Sequence, residues 1–109
     1  MTVQFHSSLA DGKWFTYSLA EQLGNIGSEV GRAIRARGDD VRYKYAVCRA
    51  LELFDLTISD PRWRKRLKEI LRARELFGYA AYGNGEYKTT LEDLDRYFFY
   101  FARIARANR

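Results

Sequence analysis

Residues 19–33 read LAEQLGNIGSEVGRA, and two stripes run through them. Leu19, Leu23, Ile26, Val30 and Ala33 recur at steps of 4, 3, 4 and 3, the seam of an amphipathic helix predicted to run roughly from Trp14 to Arg37. Beside the seam lies a stripe of small residues, Ala20, Gly24, Gly27 and Gly31. Three glycines inside a helix cost about 3 kcal/mol against alanine, so something must offset them. A partner helix lying close over the bare backbone would do so; a kinked or broken helix is the alternative. Gly38 supplies the stop.

Working outward, Asp39-Asp40 caps a second helix, roughly Asp40 to Ser59, with Val47, Leu51, Phe54 and Ile58 as its seam and Ala50, Leu53 and Leu56 widening it. Being apolar around much of its circumference, this helix is expected to be the most buried. Asp60-Pro61 marks a third start, an N-cap acid followed by proline at the first helical position. The third helix is predicted from Pro61 to Phe77, extending to Tyr82 at most, with Trp63, Leu67, Ile70, Leu71 and Phe77 on one arc. Gly83-Asn84-Gly85 turns the chain. Thr89 with Glu92, or Thr90 with Asp93, forms a capping box that opens a fourth helix, roughly Leu91 to Ala107, whose Leu91, Leu94, Phe98, Phe101 and Ala105 repeat at 3, 4, 3 and 4. Four helices with short connections predict an all-α, antiparallel up-and-down four-helix bundle over residues 13–109. Residues 1–12 read as an irregular arm without the pattern of a secretion signal.

The 109 residues suffice for one core, and 47% hydrophobic with 30% charged residues is a globular composition. A single cysteine, Cys48, excludes an intrachain disulfide, fits a reducing cytoplasm and is expected to be a small core residue. No apolar run reaches membrane-spanning length.

The formal charge is +5, and its distribution is uneven. Between Arg62 and Glu75 stand Arg62, Arg64, Lys65, Arg66, Lys68, Arg72 and Arg74 against only Glu69 and Glu75, an excess equal to that of the whole chain. At 100° per residue Arg64, Lys65, Lys68 and Arg72 form a stripe opposite the apolar face. Such a stripe can touch several phosphates; a solvated face crossed by ion pairs is the plainer reading. Arg62, Arg64, Lys65, Lys68 and Arg72 are therefore the candidate nucleic-acid contacts. Arg74 instead projects into the apolar arc and calls for a buried or interfacial partner, Asp55 or Glu29.

On the fourth helix Phe99 points into the polar arc among Arg96, Arg103 and Arg106. An outward ring among arginines suits a subunit interface or stacking on an unpaired base. Gly24, Gly27, Gly31, Phe99, Arg96 and Arg103 are the candidate oligomer or partner contacts.

Catalytic patterns are missing. His6, in the arm, is the only histidine, which leaves no Ser-His-Asp or Cys-His pair on the bundle, no Glu-x-x-His di-iron set and no His-x-x-x-His zinc pair. The glycines at 24 and 27 lack the Gly-Lys-Ser/Thr of a phosphate loop. Glu52 and Asp55 share one side of the second helix, where ion pairs with Arg49 or Arg74 are the simpler reading. No metal and no cofactor is called for, and a small RNA-cleaving or metal-dependent enzyme would have to work through Glu52 and Asp55 unassisted.

The 19–33 stretch, followed by RALELFDLTI at 49–58 and by Asp60-Pro61, resembles a group of small bacterial and archaeal helical proteins. They are the four-helix-bundle proteins encoded by intervening sequences of large ribosomal RNA and the accessory variability proteins (Avd) of diversity-generating retroelements. The resemblance spans roughly Trp14 to the C-terminus and implies a basic homo-oligomer, typically a pentameric barrel, that binds nucleic acid and a reverse transcriptase during mutagenic copying of a template RNA. The glycine-rich first helix departs from that pattern. The expectation is a non-enzymatic, oligomeric, cytoplasmic protein that binds RNA or DNA backbone; the alternative is a protein–protein adaptor or helical scaffold with no nucleic-acid role.

Overall fold

The computed structural model describes residues 12–83 and 88–108. Its helices are α1 (Leu19–Arg35), α2 (Asp40–Ile58), α3 (Leu67–Tyr82) and α4 (Leu91–Ala107), with 3₁₀ turns at Lys13–Thr16 and Pro61–Arg66. The expected arm, apart from Gly12, and Asn84-Gly85 of the expected turn lie outside the described residues.

Three of the four starts follow from a side chain that satisfies orphan amides, while α3 continues from the preceding 3₁₀ turn without one. Ser18 and Glu21 form a reciprocal capping box on α1. Asp39 accepts the Arg42 amide on α2, and Thr90 with Asp93 is the capping box of α4. Between α1 and α2 the chain turns through Gly38, whose φ of 92° only glycine adopts without strain. Bidentate hydrogen bonds from Arg37 to Glu92, at 2.7 and 2.8 Å, tie this end of α1 to the start of α4 and hold the Glu92 carboxyl down at about 2.

The register shows an antiparallel ring. Gly24, Gly27 and Gly31 of α1 lie against Ala102, Phe98 and Asp95 of α4, so one helix rises as the other falls. Tyr43 donates to the Ala81 carbonyl and Arg74 pairs with Asp55, giving α2 and α3 the same opposed sense. The protein is an all-α four-helix bundle in which α1 touches both α2 and α4 and α3 packs less extensively on α4. Phe54 of α2 sits between Phe77 of α3 and Phe98 of α4, with ring centroids 5.8 and 5.7 Å apart. All three rings are fully buried, each worth roughly 1.5–3 kcal/mol over an exposed one. Leu23, Ile26, Val30 and Ala33 close the core from α1.

Several expectations need correction. The first helix is two pieces, because Ser18 restarts it after the 3₁₀ turn that buries Trp14. The third begins only at Leu67: Pro61–Arg66 is 3₁₀, and Trp63 (φ −103°, ψ 22°) breaks the helical run. The most enclosed helix is α1, whose glycine stripe admits α4 as a second neighbour beside α2. Leu71 is exposed, and so is Cys48, which the turn of α2 carries off the face formed by Ala46, Val47, Ala50 and Phe54. No helix among the described residues is long and apolar enough to cross a membrane.

Candidate nucleic-acid interface

The basic segment hangs from a buried polar cluster at one end of the bundle. Asp60 is 4% exposed, and its carboxylate caps the Arg62 amide at 3.1 Å and takes the Arg62 guanidinium at 2.7 Å. Gln22, fully buried, donates through Nε2 to Asp60 and to the Trp14 carbonyl, at 3.1 and 3.0 Å. Its Oε1 accepts the Trp63 indole N–H at 2.9 Å, and the Trp14 indole donates to Thr57 at 3.1 Å. Among the described residues no buried side-chain nitrogen or oxygen lacks a partner. The Arg62 hydrogen bonds, with help from Gln22, hold the Asp60 carboxyl below its usual range against the opposing effect of burial.

This cluster reassigns Arg62. Its guanidinium also donates to the Tyr17 carbonyl at 2.7 Å and lies over the Trp63 ring, so much of its hydrogen-bonding capacity is taken up within the fold. Four of the seven bases are matched by acids: Arg62 with Asp60, Arg66 with Glu69 at 2.8 Å, Arg72 with Glu75 at 3.3 Å, and Arg74 with Asp55 at 2.9 Å. Asp55 is one of the two partners anticipated for Arg74, but the pair is partly exposed rather than buried. Glu69 also accepts the Tyr97 hydroxyl at 2.6 Å. Arg66 first and Tyr97 second draw its carboxyl down, while burial and that same acid push the Tyr97 phenol up.

What is left of the stripe is Arg64, Lys65 and Lys68, all exposed and without a carboxylate partner among the described residues. The 3₁₀ turn places Arg64 and Lys65 on a different winding from Lys68, so the three form a cluster at the start of α3 rather than a line along one helix face.

The glycines are used within the chain. A Cβ on Gly27 would stand 2.5 Å from the Phe98 Cβ and one on Gly24 would stand 3.1 Å from the Ala102 Cα, so α4 covers both. The close helix that the stripe calls for is α4 of the same chain, and Gly24 and Gly27, half-buried beneath it, also line a groove between α1 and α4. Gly31 lies beneath the Arg35 guanidinium and the Asp95 carboxylate. Phe99 is 55% exposed with the Arg106 guanidinium 5.7 Å from its ring centre. Arg96 pairs with Asp93, and Arg103 is exposed without an acid among the described residues.

Sequence reasoning missed a second concentration of arginines, at the other end of the bundle. Arg32 and Arg35 of α1 and Arg42, Tyr45 and Arg49 of α2 wall a cleft of about 340 Å³ floored by Ala36 and Ala46. Glu29, buried beside it, receives both Arg32 and Arg49, the latter at 3.0 Å, and Asp39 lies 3.6 Å from Arg42. Arg35 makes no salt bridge among the described residues, with the Asp95 carboxylate beside it over Gly31. These positions never form a charge run; the signal was the 3 and 4 spacing of Arg42, Tyr45 and Arg49 after Arg32 and Arg35, which a tight antiparallel turn brings together.

Among the described residues no three His, Cys, Asp or Glu side chains group as metal ligands would. No protein-family model, curated protein or solved structure matches the chain.

Proposed function

We propose that this chain is a non-enzymatic, oligomeric accessory protein that binds nucleic acid through its phosphates. The reading is carried by one observation: Arg64, Lys65 and Lys68 stand together in solvent with no acid among the described residues to quench them. Cations so placed release condensed counterions when they meet a polyanion, and that release drives binding irrespective of sequence. The resemblance to the accessory variability proteins extends the reading to a partner, a reverse transcriptase copying a template RNA.

Anisotropy of a labelled oligonucleotide tests it. Reversing Arg64, Lys65 and Lys68 to Glu is expected to weaken binding at least tenfold at moderate salt and to flatten the log–log salt dependence by about 2, near 0.7 per lost single-strand contact. All three side chains are exposed, so the fold should survive the change. Binding and salt slope identical to wild type would eliminate the reading.

A protein scaffold is the second reading, favoured by Phe99 and Tyr100, 55% and 62% exposed on neighbouring positions of α4. It expects Phe99→Asp to lower the mass seen by light scattering. A wild-type protein already monomeric in that measurement rejects it.

A further inference from the structure

The arginine cleft does not stand alone. A second groove of about 340 Å³ runs between α1 and α4, passing Ser28, Asp95, Phe99 and Arg106, and Arg32 and Arg35 line both. The exposed ridge of α1 thus carries two arginines between two shallow troughs, with Tyr45 in one, 50% exposed, and Phe99 in the other. Each trough lies at the low end of the size range of small-ligand sites, roughly 300–1,000 Å³.

We infer that these adjoining grooves form one track for single-stranded nucleic acid, with phosphates on the Arg32/Arg35 ridge and unpaired bases against Tyr45 and Phe99. The charge balance selects an anion. Arg32, Arg35, Arg42, Arg49 and Arg106 face three carboxylates, and of these Glu29 is buried and already shared by two arginines. Arg35 and Arg106 make no salt bridge among the described residues, although Asp95 lines the same groove. Arginines three apart on a helix stand about 5–6 Å apart at Cβ, which lets the pair follow a strand rather than clamp one point.

The rings select the single strand. In a duplex the base faces are buried in the stack, so an exposed Tyr or Phe beside the backbone gains nothing from them; an unpaired base offers a π-face of any sequence. Arg106 over the Phe99 ring places a cation where the phosphate next to a stacked base would lie. The ligand class rests on the nucleic-acid reading above, but the site does not: the Arg32/Arg35 cleft lies at the opposite end of the bundle from Arg64 and Lys65, the second groove runs back from it along α1 to Arg106, and neither is lined by Arg64, Lys65 or Lys68.

The test compares a labelled 12-nucleotide oligouridine with a 12-base-pair RNA duplex, on wild type, a Tyr45→Ala/Phe99→Ala double variant, an Arg35→Gln variant and the Arg64/Lys65/Lys68 reversal. Wild type is expected to prefer the single strand. The double ring variant should lose about tenfold or more on the single strand while duplex binding stays unchanged, and Phe99→Trp should keep wild-type affinity. Arg35→Gln should lose about threefold to tenfold on the single strand. If the ring variants bind oligouridine as wild type does while the triple reversal abolishes binding, the track is refuted and the phosphate reading stands. Light scattering on Phe99→Ala gives a further check, since a drop in mass would assign that trough to a second copy and overturn the proposal. No binding of either probe by wild type sinks both readings.

Discussion

Gly27→Ala is expected to cost the protein about 2 kcal/mol, although helix propensity alone would have it gain about 1. The methyl group would stand 2.5 Å from the Phe98 Cβ, far inside van der Waals contact for carbons of different residues. Phe98 cannot swing away. Its ring is fully buried, 5.7 Å from Phe54 and 5.1 Å from Tyr97, so room can come only from moving α4 off α1. One turn earlier the same helix pair meets again at Gly24 and Ala102, so α4 cannot pivot there without a second clash. Gly27→Leu, with three further carbons, is expected to leave no folded bundle. Gly78 is the control: a Cβ there meets nothing within 4 Å, and Gly78→Ala should stabilise by about 1 kcal/mol. Urea unfolding followed by helical circular dichroism measures all three. A Gly27→Ala protein as stable as Gly78→Ala would show that α4 does not press on α1 as described.

That contrast shows what was legible in the sequence and what was not. The hydrophobic steps of α1 and α4 are local and strong, so helix type and number follow from periodicity, as does the need for a close neighbour over Gly24 and Gly27. Which helix would be that neighbour is a tertiary fact, and a second chain looked as suitable as α4. Local pattern failed likewise where distant residues rewrite geometry. Nothing in PRWRKR at 61–66 announces a 3₁₀ turn; it arises because Gln22, about 40 positions earlier, draws Trp63 and Asp60 into one cluster. The same pull engages Arg62 with Asp60 and the Tyr17 carbonyl. Charge counting along the chain found the excess after Pro61 but not the arginine cleft, whose members become neighbours only when α1 folds back on α2.

The candidate site therefore divides by how far its parts lie apart in sequence. Arg64, Lys65 and Lys68 keep the exposure expected of them because no long-range acid among the described residues reaches them. Arg72 and Arg66 could not be discounted in advance with equal ease, since an acid three residues away may pair across a turn or face solvent, and the structure pairs both.

The largest electrostatic effect is expected at Asp60, a buried acid that caps an amide and takes a guanidinium and a buried Gln22 donor at once. Replacing it by alanine removes the cap on the Arg62 amide, strands the Arg62 guanidinium with only the Tyr17 carbonyl and frees one donor of Gln22. Loss of an N-cap costs about 1 kcal/mol and loss of a buried partner of a charge roughly 3, discounted here because Arg62 reaches solvent; the sum expected is about 3 kcal/mol. Asp60→Asn keeps an oxygen for the cap and should cost about half as much. The pH dependence separates charge from shape. Because the native carboxyl titrates below the ordinary 3.8, its contribution is fully present above about pH 5 and is lost as pH falls through the lowered native value. Wild type and Asp60→Asn should thus differ by a constant amount from pH 5 to pH 8 and converge as the medium becomes more acid. Trp14 and Trp63 both lie in the cluster, so tryptophan fluorescence during urea unfolding at each pH reports on the site itself. A gap that persists unchanged at pH 2 would mean that Asp60 acts by packing alone and that the ion pair with Arg62 contributes nothing to holding the basic segment in place.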